Sequence, residues 1–121
     1  MNSENVVLDK SMRFSVRIVR LYQYLCSDSK EFVMSKQLLR CGTSIGANIN
    51  EAQYAVSKND FLNKMYISLK ECAETLYWIE LLHRTDYLTG TQYSSLLGDC
   101  KELQNLLSSI TKSTREALEK E

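Results

Sequence analysis

Cys41-Gly-Thr-Ser-Ile-Gly-Ala-Asn-Ile-Asn-Glu-Ala52 lies in the middle of a helical pattern, yet it is built from residues that helices disfavour. Gly42 and Gly46 each cost about 0.5–1 kcal/mol relative to Ala, and Thr43, Ser44, Asn48 and Asn50 add smaller penalties. The sum, on the order of 3 kcal/mol, would unfold an isolated helix. Tertiary packing must offset it, so what this segment packs against matters more than its propensity. Small residues at i and i+4 let another backbone approach closely, and Gly42 and Gly46 have that spacing. Ser44 and Asn48 form a polar strip beside them, continued by Glu51. Asn48 is placed either to hydrogen-bond a neighbouring helix or subunit, as a register-fixing polar residue does, or simply to face water.

Outward from this segment, apolar periodicity predicts four helices, at about 8–27, 35–54, 58–84 and 91–117. The first aligns Phe14, Ile18, Leu21, Tyr22 and Leu25, and the polar stretch Ser27–Glu31 follows it. The second repeats Leu38, Ile45, Ile49, Ala52 and Val56. Helix 3 opens at Ser57-Lys-Asn-Asp60, a near capping box, and carries Phe61, Leu62, Met65, Leu69, Cys72, Ala73, Leu76, Ile79 and His83. Helix 4 opens at the capping box Thr89-Gly-Thr-Gln92. It carries Tyr93, Leu96, Leu97, Cys100, Leu103, Leu107, Ile110, Thr114 and Ala117, with fraying expected beyond about Arg115. Short connections make successive helices antiparallel neighbours. The expected architecture is all-α, an up-down-up-down antiparallel four-helix bundle forming a single domain over residues 1–121.

Composition agrees with one soluble core: 121 residues, 44% hydrophobic, 25% charged, no Pro and four Gly. The start, Met1 to Asp9, has acids where an export signal has bases, and no apolar run approaches the ~20 residues of a membrane span. A cytoplasmic protein with no membrane contact is expected. Cys26, Cys41, Cys72 and Cys100 form no C-x-x-C pair and have no neighbouring His. They read as small hydrophobes in the core rather than as a disulfide framework or metal site.

Helix 3 has a second apolar group opposite its core stripe: Ile67, Tyr77, Trp78 and Leu81. A bundle helix with one buried face should be polar there, and Trp and Tyr are enriched at subunit interfaces. The group is therefore expected to form an oligomer interface.

Taken in order, Ser44-Ile-Gly-Ala-Asn-Ile-Asn-Glu-Ala52, Ser57-x-x-Asp-Phe61, Ile67-Ser-Leu-Lys-Glu-x-x-Glu-Thr75 and Asp86-Tyr-Leu88 resemble a known bacterial family. Its members are the small four-helix-bundle proteins encoded within intervening sequences of large-subunit ribosomal RNA genes. The fold is shared with the accessory variability proteins of diversity-generating retroelements. The resemblance spans about residues 10 to 115, and Asn50 and Ala52 depart from the Ala and Gly expected at those positions. It implies a ring-like homopentamer and supplies no catalytic residues. The retroelement members are basic and bind nucleic acid and a reverse transcriptase. Intervening-sequence members have no established activity.

Charge sharpens the question of partners. The chain balances 15 basic against 15 acidic residues, which speaks against nucleic acid as an obligatory partner. The distribution is uneven. Residues 10–40 hold Lys10, Arg13, Arg17, Arg20, Lys30, Lys36 and Arg40 against Asp28 and Glu31, whereas residues 41–121 hold 8 bases and 11 acids. Arg13, Arg17 and Arg20 form a strip beside Tyr24 on helix 1. With Lys10, Lys36 and Arg40 they are the candidate contacts for RNA or DNA backbones. The alternative is a solvated face pairing with acids of helix 4.

Enzyme chemistry finds no foothold. Glu80-x-x-His83 resembles half of a di-iron ligand pair, but the chain has a single His. The residues upstream of His83, from Tyr77 to Leu82, lack the Arg that small helical RNases place there. No Gly-rich phosphate loop or nucleophile–His set can be assembled. No catalytic residue, metal or cofactor is expected. Two functions remain: a homo-oligomer associated with nucleic acid through helix 1, or a protein-interaction scaffold without nucleic-acid affinity.

Overall fold

The computed structural model describes the backbone from Ser3 and the side chains from Val6 to Glu121. The export-signal reading of Met1–Asn5 therefore lies outside the described side chains. Four helices follow one another: α1 (Ser3–Ser27), α2 (Met34–Ala52), α3 (Lys58–Arg84) and α4 (Gly90–Glu119). There are no strands among the described residues, and no described helix is long and apolar enough to cross a membrane.

Cross-helix contacts fix the direction of each pair. Gly42 faces Ile18 while Gly46 faces Ser11 and Ser15, so α1 and α2 run antiparallel. Arg40 meets Glu71 and Glu74 while Glu51 meets Lys64, giving the same sense for α2 and α3. Glu80 meets Tyr93 and Tyr66 meets Arg115, which does so for α3 and α4. Lys10 and Arg17 reach Glu102 and Asp99, closing α1 against α4. Among the described residues α1 and α3 share no packed contact, so they occupy diagonal corners of a four-helix bundle.

The core runs along the bundle axis and includes Val7, Phe14, Ile18, Leu25, Leu38, Ile45, Ile49, Met65, Cys72, Ile79, Leu82, Leu103 and Leu107. Polar side chains that enter it have partners. Ser68 Oγ donates to the Ile45 carbonyl at 2.8 Å, tying α3 to α2, and Thr75 Oγ1 donates to its own helix at Glu71 O. Buried hydroxyls with acceptors cost little.

The boundaries differ from expectation in ways the packing explains. Helix α1 begins at Ser3 rather than near Leu8, because buried Val7 extends its inner stripe upstream. Helix α2 ends at Ala52 rather than Tyr54, so Val56 lies past the C-cap and is 92% exposed. On α3 the expected Leu62, Met65, Cys72 and Ile79 are buried, joined by Ser68, Thr75 and Leu82, while Phe61, Leu69, Leu76 and His83 are only half-buried; Ala73 and Ala117 face solvent. Helix α4 remains helical past Arg115 to Glu119, where Arg115 Nη1 donates to Tyr66 Oη and Lys58 pairs with Glu121.

Both capping motifs form. Thr89 and Gln92 exchange side-chain-to-backbone bonds at the start of α4. Ser57 Oγ accepts from Asp60 N–H, while the Asp60 carboxylate reaches one residue further back, to Val56 N–H. The α1–α2 connection is capped differently: Glu31 is buried, and its carboxylate accepts the N–H groups of Val33, Met34 and Ser35 at 2.7, 2.5 and 3.3 Å. The preceding Lys30 takes a left-handed conformation, φ 54°, which costs a non-glycine residue roughly 1 kcal/mol.

Candidate interaction surfaces

The basic strip on α1 is largely neutralised within the molecule. Lys10 Nζ lies 2.9 Å from Glu102 and Arg17 Nη1 2.7 Å from Asp99, both on α4, while Arg13 pairs with Asp9 one turn upstream at 2.8 Å. Across the bundle, Arg40 of α2 bridges Glu71 and Glu74 of α3. Glu74 also accepts from Trp78 Nε1, and the Arg40 guanidinium, followed by this indole, holds its carboxyl below the usual carboxylate range. Among the described residues Arg20 and Lys36 have no carboxylate partner. Each exposed pair contributes little to stability. Together they remove most of the strip's free positive charge.

On α3 the second apolar group divides. Ile67 and Tyr77 stand out in solvent at 42% and 59% exposure. Trp78 does not share that outward position. It is partly buried against the core, with its ring edge-on to Tyr77 at 5.1 Å, and Leu81 is half-buried. Trp78 leans toward α2 because its indole N–H is held by Glu74, which itself turns to Arg40.

The small-residue seam has a direct geometric reading. A Cβ added at Gly42 would lie 2.9 and 3.0 Å from Ile18 Cγ1 and Cγ2, and one at Gly46 would lie 3.2 Å from the Ser11 and Ser15 hydroxyls. The surface of α1 thus sits directly on the backbone of α2. Asn48 is half-buried, and its amide donates to Ser44 O on its own helix rather than to a neighbour.

Glu80, His83 and Tyr93 form a cluster where α3 meets α4. Tyr93 Oη donates to Glu80 at 2.7 Å and Arg84 Nε at 2.9 Å; these bonds hold the Glu80 carboxyl below its usual range. The same bond pushes the Tyr93 hydroxyl up. His83 stacks on the Tyr93 ring with centroids 4.0 Å apart. Among the described residues no group of His, Cys, Asp and Glu is arranged to hold a metal.

All four cysteines are free, with Cys41, Cys72 and Cys100 buried. Burial pushes the Cys41 thiol up to about 11, and a bond with Cys100 together with burial raises that of Cys72. The folded state keeps these protons where an unfolded chain ionises, so their effect on stability is absent below the ordinary thiol range. Stability then falls as pH rises from about 9 toward 11. Urea midpoints between pH 8 and pH 10.5 are expected to fall less steeply for Cys41→Ala than for wild type, and coincident slopes would refute this.

The model of the 23S rRNA-intervening sequence protein family matches residues 3–109, nearly the whole bundle. The chain belongs to this family. The chain is also similar to a crystal structure described as a protein of unknown function from the S23 ribosomal protein family of Bacteroides thetaiotaomicron, at 58% identity. That similarity covers 92% of this chain and 99% of the other, with a TM-score of 0.90. No curated protein matches the chain. In this intervening-sequence protein the α1–α2 connection holds a feature that residue patterns did not reveal, the Glu31 cap. An acid two residues before Val33 in a polar linker is its only signal, and it is a weak one.

Proposed function

We propose that this intervening-sequence protein is a non-enzymatic, self-assembling scaffold of the bacterial cytoplasm that engages protein rather than nucleic acid. The observation that carries the reading is the pairing of Lys10, Arg13 and Arg17 with Glu102, Asp9 and Asp99. Unpaired Lys and Arg bind a phosphate backbone by displacing the counterions condensed on it, and here the protein's own carboxylates already engage most of these cations. The exposed Ile67 and Tyr77 on α3 support self-association through that face, in the ring homopentamer that the family resemblance implies. The Glu80 carboxylate is already bonded to the Tyr93 hydroxyl and to Arg84, which supports a structural rather than a catalytic role for it.

A second reading rests on Arg20, Lys30 and Lys36, the three cations of the acid-poor stretch 10–40 without a carboxylate partner among the described residues. Titrating fluorescent structured RNA and duplex DNA at rising salt separates the two. The scaffold reading expects no binding at physiological salt. Tight binding that falls steeply with salt, and shrinks on neutralising Arg13, Arg17 and Arg20, overturns it. Native mass measured alongside tests assembly. Tyr77→Asp with Ile67→Asp is expected to lower it to the protomer, and an unchanged mass removes the α3 face from the interface.

A further inference from the structure

The cations of α1 recur at Lys10, Arg13, Arg17 and Arg20, a 3,4,3 spacing that aligns them on one helical face. At 1.5 Å per residue the row is about 15 Å long, and the exposed ring of Tyr24 continues it by one turn. Aligned surface cations of this kind are what a phosphate backbone binds. Here another helix supplies acids to them. Asp99 and Glu102 of α4 reach across to Arg17 and Lys10 at 2.7 and 2.9 Å, and Arg17 Nη1 also touches the Ser95 carbonyl at 3.5 Å. A cleft of about 160 Å³ opens between the two helices at this point, lined by Lys10, Arg13, Asp99 and Glu102 over Phe14 and Leu103. The paired groups therefore meet at the surface and stay partly exposed. With Asp9 beside Arg13, the four positive charges of the row face three negative ones.

We infer that this α4 contact is autoinhibitory: Asp99 and Glu102 keep a latent site for a nucleic-acid phosphate backbone on α1 switched off. The masking works through the local field. Exposed ion pairs break readily, but a carboxylate that swings aside still sits within the ~8 Å Debye length of any phosphate that takes its place. Without the two α4 charges the row holds three uncompensated cations instead of one, in line and at the surface. The pairs on α3 have no such potential. Lys58 and Lys64, bound to Glu121 and Glu51, are six residues apart and point to different sides of their helix. The inhibition rests on the same ion pairs as the scaffold reading and goes beyond it, because a cation that draws Asp99 and Glu102 away would expose the site.

The test compares full-length variants by the anisotropy of a fluorescein-labelled DNA duplex of about two turns (~20 bp). Asp99→Asn with Glu102→Gln is expected to bind at least about tenfold tighter than wild type at about 50 mM salt. Its log–log salt dependence should be steeper by about two, one unit for each cation released. Glu51→Gln with Glu121→Gln is the control. It brings the formal net charge from 0 to the same +2 and also frees two lysines, Lys64 and Lys58. It should gain less than about threefold, because those two cations are not aligned. Adding Lys10→Gln and Arg17→Gln to the first variant should return it to wild-type binding. No gain, an equal gain in the control, or a gain that survives the loss of Lys10 and Arg17 overturns the inference. The altered pairs are exposed, so thermal midpoints should stay within about 3 °C of wild type. If the double variant melts early, Asp99→Asn and Glu102→Gln alone carry the same test, each with a gain of about threefold. The scaffold reading is tested separately, by the affinity of the wild type at physiological salt, whereas the ratio of variant to wild type tests the inhibition.

Discussion

Gly42→Leu is expected to lower the thermal midpoint by roughly 10 °C, the equivalent of about 3 kcal/mol in a bundle of this size. The reason is local. A methyl alone at this position would already meet three side-chain carbons of Ile18 at 2.9, 3.0 and 3.2 Å. Ile18 is fully buried and β-branched on a helix, so it has one preferred rotamer and little room to retreat. Gly42→Ala provides the finer test. The helix gains about 1 kcal/mol from losing a glycine, while overpacking costs about 1–3 kcal/mol, so a net loss is expected. Combining it with Ile18→Ala should cost clearly less than the two changes added. Additivity within a few tenths of a kcal/mol would show that the contact is not what constrains position 42. Gly46→Ala should be milder, because its neighbours are the serine hydroxyls of Ser11 and Ser15.

Glu31→Ala is the second large effect, expected to cost about 2–3 kcal/mol. The carboxylate receives three N–H groups at the start of α2, donors that the helix itself cannot satisfy. Removing it leaves them in a site where Glu31 was buried, so water replaces the acceptor only partly. The charge also sits at the positive end of the α2 dipole. Glu31→Gln keeps an acceptor oxygen and loses the charge, and it should cost about half as much. Chemical denaturation of the three proteins checks the order. Equal stability of wild type and Glu31→Ala would mean the cap contributes nothing.

The two effects also mark what the sequence made legible. Gly42 and Gly46 stood out because a helix made of unfavourable residues demands a compensating contact, and their spacing pointed to its kind. The bundle itself was readable from four apolar periods and two capping motifs, which are local signals. Glu31 was hidden because its role comes from the bend at Lys30 that folds its carboxylate back over α2. No residue type announces such a bend when a lysine, not a glycine, adopts it. The inward turn of Ser68 and Thr75 escaped for a related reason: a hydroxyl looks polar until the carbonyl it bonds to is in place. Pairing of the α1 cations was foreseen only as an alternative, since Asp99 and Glu102 lie on the last helix. Which acid meets which cation depends on how the bundle closes.

That closure separates the seams in time as well as in space. Tyr93 and Glu80 bridge α3 and α4 across 13 positions of chain, whereas Arg17 and Asp99 bridge α1 and α4 across 82. At about 0.6 kcal/mol per doubling of loop length, the longer bridge costs roughly 1.5 kcal/mol more in chain entropy. It returns little of that cost, because its ion pairs are exposed. The three hairpin seams are therefore favoured to assemble first. The α1–α4 seam, which neutralises the basic strip, is the last to be knit, and any state in which it has not yet closed carries the charge that the native protein conceals.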